Sequence, residues 1–188
     1  MRVIVQRASF ARDSGNAFSF CSAKTTRMIR AAFFDLSAIL ANDGNLCDGA
    51  EAFIRACATR FPLMLTAGIS YLDAKAALVA TGLSPLFLDI LTDAEVERRR
   101  PAPDLLMVTL GRLGFLLRDR NPVEPGECLV VESTADGIAA ARAARMRSLA
   151  ITHSAPSAHL AGADFVRGSF TSVDLDEILR ACARLPST

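Results

Sequence analysis

The sequence predicts an α/β fold in which an open, doubly wound parallel sheet carries helices on both of its faces. Two observations lead to this class. Several short segments are apolar throughout, which is typical of strands that are buried on both faces of a sheet. These segments alternate along the chain with helical patterns of about 10–15 residues, as in βαβ units. The chain has 188 residues, of which 51% are hydrophobic, and this suffices for the core of one domain.

The first half of the body alternates between predicted strands and predicted helices. In order, these elements are a strand over Ala31–Phe34, a helix over Ala50–Arg60, a strand over Pro62–Leu65 and a helix over Ser70–Thr81. The first helix carries Phe53, Ile54 and Cys57 on one face, as an amphipathic helix requires. Gly82 directly follows the second helix, at a position where glycine commonly ends one.

The second half continues the same alternation. In order, its elements are a short strand over Phe87–Leu91, a helix over Pro103–Leu113, a strand over Cys128–Val131, a helix over Ala135–Ala144, strands over Ser148–Thr152 and Asp164–Arg167, and a helix over Val173–Arg184. Pro103 lies in the first turn of its helix, where the missing N–H is tolerated. Gly114 is expected to end that helix.

Charge is unevenly distributed along the chain, although the formal net charge is only +1. Residues 1–30 carry a net charge of +5, and the remaining residues carry −4. Residues 1–28 are therefore predicted to be a basic leader, and residues 29–188 a single α/β domain. Three interpretations of the leader stay open: an extension upstream of a true start at Met28, a disordered basic tail, or an organellar transit peptide, whose composition it shares.

Composition excludes several function classes. The near-neutral charge provides no field that would attract nucleic acid or an anionic membrane, so neither partner is expected. The apolar runs are shorter than the about 20 residues of a transmembrane helix. The five cysteines are scattered and form no C-x-x-C pair, which predicts neither a zinc site nor a disulfide framework. A reducing compartment follows, and we predict the cytoplasm, with organellar targeting by residues 1–28 as the alternative.

Polar residues follow the three strongest strands. They are Asp35, Thr66 and Glu132, and they are expected to meet at one edge of the sheet because parallel strands share their carboxyl ends. The basic run Arg98–Arg100 precedes a helix that starts near the same edge. Each of these residues also has a simpler interpretation, since carboxylates and threonines after strands often cap helices and arginine runs often lie in solvated loops.

Four short motifs occur at these strand ends. They are F-D-L-S-A-I-L over 34–40, L-T at 65–66, R-P-A-P-D over 100–104 and E-S-T-A-D-G over 132–137. In this order they resemble the haloacid dehalogenase-like hydrolase superfamily, in its branch of small phosphatases and phosphomutases. The resemblance runs roughly from Met28 to Ala183 and implies a Rossmann-like core.

This resemblance implies a chemistry for the site. Asp35 would attack phosphorus and form an aspartyl-phosphate, which water then hydrolyses. Thr66 would donate a hydrogen bond to a phosphoryl oxygen, Arg100 would neutralise charge, and Mg²⁺ is the implied cofactor. The implied sets are Asp35, Thr66 and Arg100 as catalytic residues, Ser37, Ala67 and Arg100 as substrate-binding residues, and Asp35, Ser37, Glu132 and Asp136 as metal ligands.

Several positions depart from the family's pattern. Ser37 stands where the family has an aspartate that acts as general acid, and losing such catalysis costs about 10²–10⁴-fold in rate. Ala38 replaces a glycine, and Ser133 replaces a metal-binding aspartate. Asp136 follows Glu132 by four positions, and we hypothesise that the two hold Mg²⁺ together. In the alternative, Asp136 only stabilises the start of the next helix.

Only the short segment Ala41–Asp48 follows the first motif, where this branch usually inserts a helical cap. An open site suits a phosphorylated small molecule or macromolecule, or a homo-oligomer in which a second subunit covers it. The main functional prediction is a weak Mg²⁺-dependent phosphatase. A catalytically impaired binding or scaffold protein is the first alternative, and a metal-free hydrolase of carbon–halogen bonds is the second.

Overall fold

A computed structural model of the chain describes residues 28–118, 121–153 and 157–185. The described residues form six strands: β1 (Ala31–Asp35), β2 (Leu63–Ala67), β3 (Phe87–Thr92), β4 (Cys128–Glu132), β5 (Arg147–Ile151) and β6 (Phe165–Arg167). The helices are α1 (Leu36–Ile39), α2 (Ala50–Ala58), α3 (Tyr71–Ala80), α4 (Asp104–Leu117), α5 (Ala135–Ala143) and α6 (Leu175–Cys182). The predicted basic leader lies outside the described residues, except for Met28.

The strands form one parallel sheet with the order β3-β2-β1-β4-β5-β6. The chain enters the middle of the sheet at β1, proceeds outward to β3, and then crosses to β4 on the other side. The direction of strand progression therefore reverses between β1 and β4. In open α/β sheets, ligands bind beyond the carboxyl ends of the strands at such a reversal. Asp35 and Glu132 end these two strands.

Helices cover both faces of the sheet, which confirms the predicted doubly wound fold. Phe34 and Leu65 point to the face that packs against α2, α3 and α6. The neighbouring residues Phe33 and Met64 point to the opposite face, which packs against α4 and α5. Successive side chains of a strand point to opposite faces, so a strand with helices on both sides must be apolar at every position.

The helix predicted over Pro103–Leu113 is longer than expected. It forms α4, which continues to Leu117, so Gly114 lies inside the helix and the predicted stop there is wrong. Arg118 ends α4 with a left-handed φ of 49°, and its N–H donates to the carbonyl of Gly114. A glycine weakens a helix without removing a backbone donor, so it does not end one by itself.

Three cysteines lie in the core, as the sequence indicates. Cys57, Cys128 and Cys182 are buried. Burial raises the pKa of Cys57 and of Cys128 to about 12, so both remain thiols at neutral pH. None of the helices in the described part of the chain has the length and apolar character that crossing a membrane requires.

Candidate active site

Asp35 lies at the end of β1 and is almost completely buried. Its Oδ2 accepts hydrogen bonds from the backbone N–H of Ser37 at 3.0 Å and from the Ser37 hydroxyl at 2.5 Å. Asp35 is therefore the N-cap of α1, as the simpler interpretation suggests. It also lines a cavity at the sheet edge, so the capping of α1 does not exclude a chemical role for the same side chain.

The second oxygen of Asp35 faces Thr66 and Arg100. The register of β1 and β2 pairs Asp35 with Thr66, and the Thr66 hydroxyl lies 3.4 Å from Asp35 Oδ1. Arg100 Nη1 donates to the same oxygen at 2.7 Å. Asp35 and Thr66 therefore lie together at this edge, as expected from the strand ends, and Arg100 joins them there.

Arg100 connects three carboxylates. Besides Asp35, its Nη1 donates to Glu132 Oε1 at 3.0 Å, and its Nη2 lies 3.4 Å from Asp93 Oδ2. Burial acts to lower the pKa of Arg100, but the attraction of Asp35, Glu132 and Asp93 outweighs it and holds the pKa above its ordinary value. Arg98 instead pairs with Asp104 at the surface. Arg99 and Arg100 both line the cavity, and the described hydrogen bonds to the buried carboxylates come from Arg100.

Glu132 ends β4 and is as buried as Asp35. Its Oε2 accepts from the Ser133 backbone N–H and from the Thr134 hydroxyl, both at 3.1 Å. Burial, and then repulsion by Asp35, raise the pKa of Glu132 to about 8, although Arg100 opposes this. The carboxyl group therefore keeps a proton in the folded protein over a pH range in which an ordinary glutamate is ionised.

This raised pKa predicts a pH dependence of stability. An unfolded chain releases the Glu132 proton near its ordinary pKa of 4.5, whereas the folded chain holds it until about pH 8. The contribution of this group to folding is therefore complete below 4.5 and is lost as the pH rises through 8. We expect the unfolding free energy of metal-free wild type, minus that of Glu132→Gln, to decrease between pH 5 and pH 8.5 in urea denaturation. A difference that stays constant over this interval would contradict the assignment.

Gly137 makes room for the Glu132 carboxyl group. A Cβ at Gly137 would lie 2.0 Å from the carboxyl carbon of Glu132 and 2.1 and 2.3 Å from its two oxygens. Only glycine therefore allows the start of α5 to approach this buried side chain so closely. The motif over 132–137 ends in this glycine, and its role became evident only from the packing.

Ser37 and Ser133 join the loops that follow β1 and β4. The Ser133 hydroxyl donates to the main-chain carbonyl of Ser37 at 3.0 Å, and the two hydroxyl oxygens lie 3.1 Å apart. Where the resemblance implies two aspartates, this chain thus has two hydroxyl groups: that of Ser37 donates to Asp35, and that of Ser133 donates to the Ser37 carbonyl. The arrangement holds Asp35 in place but supplies no carboxylic acid at either position.

A cavity of about 580 Å³ opens above these residues. Its lining includes the predicted site residues Asp35, Ser37, Arg100 and Asp136. Asp136 lies in the first turn of α5, and no described contact joins it to Glu132. Ala67 is buried in the core, and its neighbours Gly68 and Ile69 line the cavity. The substrate-binding role of Ala67 and the metal-binding roles stay predictions.

Sequence reasoning missed Asp93. It directly follows β3 and lines the cavity. The rule that selected polar residues at the carboxyl ends of strands also applies to it, but only the three strongest strands were used. Thr134, which donates to Glu132, was missed because nothing in its local sequence distinguishes it from an ordinary helix cap.

The carboxyl groups of the site suit a divalent cation, whose binding would require Glu132 to release its proton. Asp35 and Glu132 are two buried carboxylates that share one guanidinium nitrogen, and their mutual repulsion contributes to the raised pKa of Glu132. Within 28–118, 121–153 and 157–185, no three His, Cys, Asp or Glu side chains are placed to hold a metal ion. Mg²⁺ commonly binds to one or two carboxylates, with water and substrate phosphate as its other ligands. The two carboxylates fit an ion bound in that way.

Comparison with known proteins assigns the class. A family model described as a hydrolase, haloacid dehalogenase-like hydrolase, matches residues 4–145. The chain belongs to the haloacid dehalogenase-like hydrolase family, as its motifs indicate.

Two relatives in sequence and one solved structure with the same fold are similar to this chain. Protein SUPPRESSOR OF QUENCHING 1, chloroplastic, from Arabidopsis thaliana is 33% identical over 107 residues, which are 55% of this chain and 9% of that protein. A probable pseudouridine-5'-phosphatase from Drosophila melanogaster is 33% identical over 115 residues, 58% of this chain and 47% of the relative. The crystal structure of a HAD hydrolase, family IA, variant 3 from Entamoeba histolytica has a TM-score of 0.62 at 21% identity and covers 73% of this chain and 61% of its own. The chain spans less than two thirds of the length of each.

Proposed function

We propose that this chain is a weak Mg²⁺-dependent phosphatase that acts through an aspartyl-phosphate formed on Asp35. The observation that carries the proposal is the placement of Asp35 in the cavity, with Arg100 at 2.7 Å and Thr66 at 3.4 Å from its Oδ1. A carboxylate held beside a cation and a hydroxyl donor matches what phosphoryl transfer needs, which is mostly positioning and compensation of charge. The likeness to a probable pseudouridine-5'-phosphatase supports the substrate class.

Each residue has a defined part in this proposal. An oxygen of Asp35 forms a bond to phosphorus while the bond from phosphorus to the alcohol oxygen breaks. The Thr66 hydroxyl, whose contact with Asp35 is long, donates to a phosphoryl oxygen, and Arg100 offsets the developing negative charge. Water then attacks the phosphorus of the aspartyl-phosphate and releases Asp35.

Mg²⁺ would be held by Asp35 and Glu132, and when bound it would neutralise negative charge on the transferred phosphoryl group. Ser133 stands where the family's pattern has a metal-binding aspartate, and its hydroxyl donates to the Ser37 carbonyl, so this metal site has fewer carboxylate ligands than that pattern implies. Ser37 also cannot protonate a leaving group near neutral pH, because an alkyl hydroxyl is far too weak an acid. Both departures predict slow turnover.

The decisive experiment measures hydrolysis of 4-nitrophenyl phosphate with and without Mg²⁺, for wild type and Asp35→Asn. We expect Mg²⁺-dependent release of 4-nitrophenol by wild type and none above background by Asp35→Asn, because an amide is a far weaker nucleophile than a carboxylate. Asp48→Asn, which changes an exposed acid in the loop before α2, is expected to keep the wild-type rate. Thermal unfolding checks that all three proteins are folded.

A phosphate-binding module without turnover is the second candidate. The observation that favours it is the 2.5 Å hydrogen bond from the Ser37 hydroxyl to Asp35 Oδ2, which occupies an oxygen that would otherwise be free to attack phosphorus. If wild type and Asp35→Asn are equally inactive, yet Mg²⁺ with vanadate raises the melting temperature of wild type alone, the binding module replaces the phosphatase.

The natural partner follows from the chemistry of the site. We infer a phosphorylated small molecule or macromolecule, because the cavity mouth includes the exposed residues Asn42 and Ile69 and the segment 40–49 is short. Cover by a second subunit stays a prediction.

The cytoplasm stays the predicted compartment, and the chloroplastic Arabidopsis relative supports the organellar alternative for residues 1–28.

A further inference from the structure

Asp93 occupies a distinctive position at the cavity. It directly follows β3 and begins a short 3₁₀ turn over Asp93–Glu95, whose start is held by reciprocal hydrogen bonds between Thr92 and Glu95. Its side chain is 16% exposed and lines the same cavity as Asp35. The carboxyl group is thus fixed by its backbone and still reachable from the cavity.

One oxygen of Asp93 has no hydrogen-bond partner. Oδ2 faces Arg100 Nη2 at 3.4 Å, whereas Oδ1 is buried and accepts no hydrogen bond within the described part of the chain. Leaving a buried polar atom unsatisfied typically costs about 1–3 kcal/mol, so such atoms are rare outside functional sites. The unsatisfied atom here, Asp93 Oδ1, belongs to a residue that lines the cavity of the candidate active site.

Arg100 places Asp93 and Asp35 at one guanidinium group. Nη1 contacts Asp35 and Nη2 contacts Asp93, so the two carboxyl groups flank neighbouring nitrogens of the same side chain. Gly68 leaves the space for this arrangement, because a Cβ there would lie 3.1 Å from Arg100 Nη2 and 3.4 Å from Asp93 Oδ2. A phosphate ester attacked by Asp35 would therefore lie close to Asp93.

We propose that Asp93 is the general acid of this site and supplies the proton that Ser37 cannot. The inference rests on the proposed phosphatase function. Asp93 acts in its carboxylic acid form, which the negative charge of a bound phosphate ester beside it favours. As Asp35 bonds to phosphorus, the bond to the leaving oxygen breaks and its electron pair stays on that oxygen, which takes the proton of the Asp93 carboxylic acid. The water that later hydrolyses the aspartyl-phosphate returns one proton to Asp93, so the cycle closes without another reactant.

The test compares two substrates of similar size that differ in their need for an acid. Nitrophenolate leaves without a proton, whereas the alkoxide of 2-phenylethyl phosphate must be protonated as it leaves. In phosphate-release assays, Asp93→Asn is expected to lower kcat/KM for the alkyl ester by about 10²–10⁴-fold and that for 4-nitrophenyl phosphate far less. kcat/KM includes only the steps up to release of the alcohol, so the later hydrolysis of the aspartyl-phosphate does not affect the comparison.

Each other outcome is decisive. Equal losses on both esters, or activity that Asp93→Asn does not change, would mean that Asp93 only positions Arg100 or has no role. A wild type that hydrolyses the aryl ester but not the alkyl ester also overturns the general acid while the phosphatase survives. A wild type inactive on both overturns both proposals. Asp89→Asn, on the strand β3 that Asp93 follows and paired with Arg112, is the matched control and is expected to leave the two-substrate ratio unchanged.

Discussion

Replacing Arg100 with methionine is expected to lower the free energy of unfolding by about 3–5 kcal/mol, as for other buried ion pairs that lose one partner. The guanidinium contacts Asp35, Glu132 and Asp93, and its side chain is only 12% exposed. Methionine keeps most of the apolar stem but leaves three carboxyl groups at the sheet edge without their shared cation. Urea denaturation at pH 7 without added metal measures the loss.

Two further variants separate charge from packing at Arg100. Arg98→Met removes a neighbouring arginine that is 74% exposed, and we expect little change because a solvated ion pair contributes little to stability. Combining Arg100→Met with Glu132→Gln replaces the Glu132 carboxyl group by a neutral amide, which needs no proton in order to be buried, so the double variant is expected to regain part of the lost stability. If Arg100→Met is as stable as Arg98→Met, the guanidinium does not hold the site together.

Lysine at position 100 is expected to have an intermediate effect. It keeps the positive charge, which the family pattern also has at this position. However, a single ammonium nitrogen cannot reproduce the two guanidinium nitrogens that contact Asp35 and Asp93 separately. Compared with Arg100→Met, Arg100→Lys should therefore restore more of the wild-type unfolding free energy than of the wild-type activity toward the alkyl ester, if Asp93 is the general acid.

Replacing Gly137 with alanine is expected to destabilise the fold by about 1–3 kcal/mol, the usual effect of overpacking, and to abolish the activity proposed for the site. The new Cβ would lie 2.0 Å from the carboxyl carbon of Glu132, so either α5 or the carboxyl group must move. The end of a flexible side chain often moves easily, but this one is buried and held by Arg100, Thr134 and a backbone N–H. Moving it breaks these contacts.

A double-mutant cycle tests this explanation. In a Glu132→Ala background there is no carboxyl group at that place, so Gly137→Ala should change the unfolding free energy much less than in wild type. Gly111→Ala is the matched control, since Gly111 is exposed in the middle of α4 with no atom within 4 Å of an added Cβ. It should stabilise the protein by up to about 1 kcal/mol, as alanine does in helix interiors. Equal destabilisation by Gly137→Ala in both backgrounds would contradict the collision with Glu132.

The sequence alone determined the fold class and the central part of the site. Strands that are buried on both faces must be apolar at every position, so such strands can be recognised from the local sequence. The helices that alternate with them indicate that the strands are parallel. Parallel strands end at a shared edge, so the sequence alone predicts that Asp35, Thr66 and Glu132 lie together. The functional consequences of Ser37 could also be argued in advance, because the acidity of a hydroxyl group depends little on the fold.

Only the tertiary structure showed which carboxylates Arg100 contacts. The R-P-A-P-D motif singles out Arg100 among three successive arginines. Arg100 meets Asp35 across 65 residues of sequence and Glu132 across 32, and no local pattern predicts these pairs. The unpartnered oxygen of Asp93 and the contact of Gly137 with Glu132 are likewise relations between segments that adjoin only in the folded sheet. Periodicity and strand ends are properties of local sequence. Charge pairing and close approach depend on the order of the strands and on the packing of helices against them, and these arise only when the whole chain folds.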